Sequence, residues 1–164
     1  MNVSQIMSRN VETCRFDDSL ATAAGRMWDH DIGCLPVLGA DGQVAAVITD
    51  RDVAMAAYTR GKPLHDIPVA VAMSKELFSC APDDSLIEVE DTMRAQQVRR
   101  LVVLDSGFSL VGVVSLNDLA REAEREVGRR AREVSAQEVT ATLAAVCSPR
   151  RGGRAHGGGV TAFH

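Results

Sequence analysis

The chain has 164 residues, of which 46% are hydrophobic and 24% are charged, and its formal net charge is −4. This length can form the core of one domain or of two small domains packed together, and the composition is ordinary for a globular protein. No apolar run approaches the ~20 residues that cross a bilayer, the first residues do not resemble a secretory leader, and the four cysteines have no disulfide or zinc-ligand spacing, so we expect a cytoplasmic protein with reduced thiols and no membrane association.

The first predicted elements are a short strand, a helix and a hairpin. Residues 10–14 are predicted to be extended, and Ser19 is predicted to cap a helix whose apolar face begins at Leu20. Two apolar runs then flank Asp41-Gly42, a dipeptide typical of tight hairpins. The second run ends in a polar junction at 49–52, where another helix is predicted to begin.

An internal repeat follows, because the sequence matches itself without a gap when it is shifted by 66 positions. Thirteen identities occur over the 47 pairs that begin at Met7 and end at Val53. The second copy also predicts a capping box of Ser85 with Glu88, and a turn at Gly107. A repeat of this size indicates a supersecondary unit that completes its core against a copy of itself. The predicted fold is α/β, and each of the two copies has the order strand, helix, strand, strand, helix. We place repeat 1 at 1–66, repeat 2 at 67–127, and a C-terminal helix with a flexible Gly/Arg-rich tail at 128–164.

The polar junction has two interpretations. Thr49 and Asp52 have the spacing of a capping box, and Ser115 and Asp118 repeat it in the second copy. The same geometry suits a nucleotide, because a helix N-terminus attracts phosphate and a nearby carboxylate can accept hydrogen bonds from a ribose diol. The spacing alone leaves both interpretations open.

The complete set of motifs, occurring twice at one offset, resembles a tandem pair of cystathionine-beta-synthase (CBS) domains, the Bateman module, over about residues 3–120. The resemblance implies two α/β units related by a pseudo-twofold axis, with two clefts that bind AMP, ADP, ATP, S-adenosylmethionine or NAD. By position, Asp52 and Asp118 would hold ribose hydroxyls in the two clefts. Thr49 and Ser115 would lie by the phosphates or the sugar. The residues implied to pack on adenine open the first strand of each copy: Val11, Thr13, Phe78 and Ser79.

Basic residues near the junctions are candidates for phosphate binding. Arg99 and Arg100 resemble the basic pair that contacts phosphates in the gamma subunit of AMP-activated kinase, although a solvated pair at a helix end is the alternative. Arg51 could neutralise phosphate or pair with a neighbouring Asp. The first copy departs from the family in having Ala46 where the second copy keeps Gly112.

Catalysis finds little support in the sequence. The four histidines have no metal-like spacing and no recognisable nucleophile beside them. We therefore expect neither catalysis, nor a required cofactor, nor a metal.

The C-terminal part of the chain carries its own signals. Residues 128–164 hold six Arg against two Glu, whereas the rest of the chain is acidic. Ser135 and Glu138 predict a capped helix, whose apolar face needs either the body of the protein or a second subunit. We expect a homodimeric sensor that signals to an effector protein in trans, and nucleic acid is not an expected partner. The alternative is a protein- or nucleic-acid-binding adaptor, in which the clefts are empty and this helix and tail carry the function.

Overall fold

The computed structural model describes residues 1–127 and 134–149. The elements of repeat 1 are β1 (Cys14–Arg15), α1 (Leu20–Asp29), β2 (Cys34–Leu38), β3 (Val44–Thr49) and α2 (Asp50–Arg60). Those of repeat 2 are β4 (Ser79–Cys80), α3 (Leu86–Gln96), β5 (Arg100–Leu104), β6 (Leu110–Ser115) and α4 (Leu116–Arg125), and α5 (Ala136–Cys147) follows. The α/β class and the repeated element order are confirmed, although β1 and β4 are shorter than predicted.

Each repeat contains one three-stranded sheet of the same topology. The strand orders are β1-β2-β3 and β4-β5-β6, and in each sheet the first pair is parallel and the second antiparallel. Cys34 pairs with Thr49 in the first sheet, and Arg100 pairs with Ser115 in the second. The start of each central strand therefore lies beside the polar junction, at one end of its sheet.

The two hairpins turn by different means. Gly42 has a φ of 81°, as the Asp-Gly dipeptide predicts. In the second hairpin the positive φ of 61° falls on Phe108 rather than on the preceding Gly107. Asp105 Oδ1 accepts hydrogen bonds from the amides of Gly107 and Ser109, both at 2.9 Å. This side-chain bonding sets the turn, so the left-handed position is decided by Asp105 and not by the glycine.

The first residues of each repeat pack on the other repeat. Ser8 forms both hydrogen bonds of an antiparallel bridge with Val113, and Val3 donates to the carbonyl of Asp84 at 3.0 Å. In the linker, the equivalent Val69 donates to the carbonyl of Asp18 at 2.8 Å. The segments 1–8 and 67–74 are therefore exchanged arms, each of which completes the core of the opposite sheet. The division at residue 66 stays a prediction about sequence units.

The C-terminal helix α5 packs on α3 and α4 of repeat 2. Its predicted capping box forms, since Ser135 Oγ accepts from the Glu138 amide and Glu138 Oε2 accepts from the Ser135 amide. Val146 is buried and Val139 packs against the same core. The apolar face of α5 is thus partly packed within the chain, while Leu143 on the same helix is 46% exposed. The helix α4 ends at Arg125, before α5 begins.

The rest of the predicted tail, 150–164, and the connection 128–133 lie outside the described residues. Among the residues that the structure describes, no helix combines the length and the apolar character needed to span a membrane.

Candidate functional site

The first junction is a capping box that uses only one of the two carboxylate oxygens of Asp52. Asp52 Oδ2 accepts from the Thr49 amide at 2.9 Å and from the Thr49 hydroxyl at 2.7 Å. The Asp52 amide in turn donates to Thr49 Oγ1 at 3.2 Å. Within the described residues, Asp52 Oδ1 accepts no hydrogen bond. The capping interpretation is therefore correct, and it leaves an aligned, half-buried acceptor at the start of α2.

The second junction has the same capping box, but the second carboxylate oxygen of Asp118 is paired with an arginine. Asp118 Oδ2 accepts from the Ser115 amide at 2.8 Å and from the Ser115 hydroxyl at 2.6 Å. Asp118 Oδ1 is paired with the guanidinium of Arg121, one turn further along α4. Asp118 is only 6% exposed, so this ion pair is made by a buried carboxylate. The position equivalent to Arg121 in repeat 1 is Met55, which carries no charge.

The two junctions meet near the pseudo-twofold axis. Cys34 and Arg100 are equivalent positions in the repeat. Burial raises the pKa of the Cys34 thiol, and the nearby positive charge of Arg100 partly offsets this rise. Equivalent residues that lie close together must flank the axis that relates them. Arg100 Nη2 also lies 3.7 Å, and Asp50 Oδ2 3.3 Å, from where a Cβ on Gly33 would be. The guanidinium of Arg100, a residue of repeat 2, therefore lies beside the junction of repeat 1.

Two short segments cross between the sheets beside these junctions. Residues 9–13 connect Ser8, which bridges to Val113 in the second sheet, with Cys14, which pairs with Val37 in the first. Residues 75–78 make the reciprocal crossing. The predicted adenine-packing residues lie within or next to these crossings: Val11, Thr13, Phe78 and Ser79. Phe78 packs against the core of repeat 2. The role of these four residues in packing a base stays a prediction.

The basic candidates are placed differently from one another. Arg100 faces the junction of repeat 1, whereas Arg99 Nη2 donates to Cys147 Sγ at 3.4 Å, at the end of α5. Arg51 is exposed, and its side chain forms no ion pair within the described part of the chain. Arg100 and Arg51 are therefore available near the first junction, while Arg99 is occupied elsewhere.

Sequence reasoning missed Arg121 as part of the second junction. The signal was present, since Asp and Arg three positions apart on a helix lie on one face. It also missed the placement of Asp50 beside Gly33 and Arg100, which depends on contact between the repeats.

Two further surface cavities lie in the described part of the chain. The first, of about 470 Å³, lies between α1 and α2 and reaches Gly33 and Asp50 at the first junction, and the second, of about 370 Å³, lies at the hairpin end of repeat 2. Neither cavity is lined by Asp52 or Asp118. Residues 1–127 and 134–149 contain no cluster of three side chains suited to a metal ion. Burial raises the pKa of Cys14 to about 11 and that of Cys80 to about 12, so neither thiol is readily ionised.

The sequence of the chain matches the CBS domain family model twice, over residues 3–58 and 65–125. The chain belongs to the CBS domain family. Its two CBS domains correspond to the two repeats, including the first residues that pack on the opposite sheet. The expected family and fold are therefore both confirmed.

Known CBS domain proteins resemble this chain in sequence and in structure. The CBS domain-containing protein YhcV of Bacillus subtilis is 35% identical over 119 residues, which cover 73% of this chain and 83% of YhcV. The CBS domain pair of protein MJ0100, in complex with 5-methylthioadenosine and S-adenosyl-L-methionine, superposes with a TM-score of 0.67 at 24% identity, covering 74% of this chain and 94% of that one. The CBS domain protein PAE2072 of Pyrobaculum aerophilum, complexed with AMP, superposes with a TM-score of 0.70 at 21% identity, covering 77% and 96%. Both structures match the fold of this CBS domain pair.

Proposed function

We propose that this CBS domain pair is a non-catalytic regulatory module that binds an adenosine-containing ligand in the cleft beside Asp52. The observation that carries the proposal is the remaining oxygen of the Asp52 carboxylate, held by the capping box at the N-terminus of α2. A carboxylate there accepts hydrogen bonds from a ribose, and the helix N-terminus with Arg100 and Arg51 nearby favours a phosphate.

The ligands of related proteins support the same ligand class. AMP in PAE2072 and S-adenosyl-L-methionine with 5-methylthioadenosine in MJ0100 share only the adenosine group. A carboxylate that binds the ribose and apolar residues that pack on the base recognise this shared group. The candidate ligands remain AMP, ADP, ATP, S-adenosylmethionine and NAD. Signalling to an effector in trans and assembly as a homodimer belong to the same proposal.

The adaptor alternative has less support. Its principal surface was the apolar face of the C-terminal helix, and α5 packs most of that face on repeat 2 through Val139 and Val146, leaving Leu143 exposed. The nucleotide site, in contrast, has an aligned carboxylate with no partner in the described chain for its second oxygen. We therefore place the function in the cleft.

Calorimetric titration of the wild-type protein tests the proposed ligand class. AMP, ADP, ATP, S-adenosylmethionine and NAD are compared with GMP, and AMP is compared with 2′-deoxy-AMP and 3′-deoxy-AMP. We expect at least one adenosine ligand to bind with a Kd below about 1 mM. Loss of one ribose hydroxyl should weaken binding about tenfold, because one charge-assisted hydrogen bond is removed. The proposal fails if none of the adenosine ligands binds in this range, or if the deoxy analogues bind as tightly as AMP.

The two clefts are expected to differ in affinity because of Arg121. A ribose at Asp118 must displace this guanidinium, whereas Asp52 has Met55 at the equivalent position. We expect Arg121→Met to tighten binding at the second cleft about tenfold, and Met55→Arg to weaken binding at the first by a similar factor. Calorimetry resolves the two sites, and Asp118→Ala should change only the weaker one. Weaker binding in Arg121→Met would instead identify Arg121 as a phosphate ligand and contradict the expected asymmetry.

A further inference from the structure

The contact between α3 and α5 contains a buried carboxyl group. Glu90 on α3 is only 2% exposed, and Thr142 on α5 is fully buried. Glu90 Oε1 is shielded from solvent and accepts no hydrogen bond from residues 1–127 or 134–149. An ionised carboxylate with an unpartnered oxygen is costly in such a place, whereas a protonated carboxyl carries no charge. The contact therefore favours the protonated form of Glu90.

The burial of Glu90 depends on α5 and is not a property of both repeats. The equivalent residue of repeat 1 is Ala24, which is half-buried and lines the open groove beside Trp28, between α1 and α2. In repeat 2 the same side of the domain is covered, because α5 packs on α3 and α4. Release of α5 would therefore return Glu90 to water.

The charged groups around Glu90 do not cancel the effect of burial. Burial raises the pKa of the Glu90 carboxyl, and the negative charges of Glu138 on α5 and Asp91 on α3 raise it further. Arg94 and a hydrogen bond with Thr142 oppose this rise only in part. The guanidinium of Arg94 is also paired with Asp91 at 2.6 Å, so its charge is shared.

The Thr142 hydroxyl suits the protonated carboxyl better than the ionised one. Thr142 Oγ1 donates to the carbonyl of Glu138 at 3.0 Å, within α5. A hydroxyl has one proton and two lone pairs, so this group cannot fully satisfy an ionised Glu90, but it can accept a hydrogen bond from a protonated one.

The buried carboxylates of α4 have partners of their own. Glu122 Oε2 lies 3.3 Å from Arg125 Nη1, and Glu126 Oε2 accepts from the Val134 amide at 3.0 Å. Among the buried side-chain oxygens and nitrogens of the described residues, Glu90 Oε1 is the one without a hydrogen-bond partner. Glu90 is therefore the buried carboxyl that protonation would stabilise.

We propose that α5 is a pH-sensitive cover of repeat 2, which docks tightly while Glu90 is protonated and loosens as Glu90 ionises. The pKa of Glu90 is higher in the docked state than in water, so docking is fully supported below the ordinary carboxyl pKa and weakens as the pH rises through the raised pKa. Loosening would free Gln97 and Arg99, which hold the end of α5 and directly precede Arg100. The proposal does not rest on nucleotide binding.

Hydrogen exchange of the full chain without ligand tests the proposal. Protection factors of the α5 amides, corrected for the intrinsic exchange rate at each pH, report the opening of this helix. We expect them to fall between about pH 5 and about pH 8, by at most about tenfold per pH unit, because the docked state binds one extra proton. Hydrogen bonds with Ser135 lower the pKa of Glu138, so this second carboxyl titrates below that range.

Two variants assign the pH dependence to Glu90. Glu90→Gln keeps the shape of the side chain without its charge, and Glu90→Ala introduces the residue found at the equivalent position of repeat 1, which favours a helix. In both variants the protection of α5 should be independent of pH over the same range. The amides of Leu35 and Val37, in the core of repeat 1, are the internal control and should show no pH dependence in any of the three proteins.

Three outcomes would overturn the proposal. The first is a wild type whose α5 protection does not change with pH. The second is a pH dependence that persists in both Glu90 variants, since another group would then be responsible. The third is an equal loss of protection at Leu35 and Val37, which would show that the whole protein, rather than α5, responds to pH. Since no ligand is present, none of these outcomes affects the proposed nucleotide site.

Discussion

Replacing Asp52 with alanine is expected to weaken the binding of the adenosine ligand about 100-fold. A ribose diol donates two hydrogen bonds to one carboxylate, and each hydrogen bond to a charged group contributes about 1.5–3 kcal/mol. A 100-fold change in Kd corresponds to a loss of about 2.7 kcal/mol of binding free energy. This loss is smaller than the sum that two such hydrogen bonds can contribute. Calorimetric titration with the tightest ligand of the wild type measures the change.

A control must separate ligand binding from helix capping. Asp52→Ala also removes the capping box of α2, which costs about 1 kcal/mol of stability. Glu88→Ala removes the corresponding carboxylate from the capping box of α3, whose hydroxyl belongs to Ser85. We expect a similar loss of stability and unchanged ligand affinity in this control. Equal affinity of Asp52→Ala and wild type would refute the ribose role of Asp52.

Replacing Gly112 with alanine is expected to lower the free energy of unfolding by about 2 kcal/mol, the middle of the range for overpacking a core. A Cβ at Gly112 would lie 2.6 Å from Met7 Sδ and 3.0 Å from the carbonyl oxygen of Ser8. The Met7 side chain can shift, but the Ser8 carbonyl belongs to the bridge with Val113 and cannot move without breaking it. Urea unfolding measures the loss. Hydrogen exchange at the Ser8 and Val113 amides should show that the N-terminal arm opens first.

A second glycine supplies the matched control. Gly25 lies within α1, and a Cβ there would have no atom within 4 Å. Gly25→Ala should therefore raise stability by about 0.5–1 kcal/mol, because alanine favours the helix. If Gly112→Ala is as stable as the wild type, the arm is not held against β6 as the structure shows.

The local parts of the candidate site could be predicted from the sequence. The spacing of Thr49 with Asp52, and of Ser115 with Asp118, determines a capping box, because the bonded atoms are only three residues apart. The same reasoning placed the start of α5 at Ser135. The interpretation of these boxes as ligand sites stays a prediction.

The placement of the basic residues could not be predicted in the same way. Arg99 and Arg100 are adjacent in sequence, and the structure directs one to Cys147 and the other to the junction of repeat 1. Arg99 precedes β5 and Arg100 is its first residue. Which neighbour each side chain meets depends on the docking of the two sheets and of α5.

The sequence by itself determined the duplication, the element order, the helix starts and the equivalence of the two junctions, because these depend on short-range spacing and on comparison of one copy with the other. Only the tertiary structure decided that residues 1–8 complete the second core and that Arg100 reaches the first junction. It also decided that α5 covers repeat 2 and leaves the groove beside Trp28 open. These features join residues far apart in the chain, and they are selected by which arrangement buries the most apolar surface, a quantity that no local pattern contains.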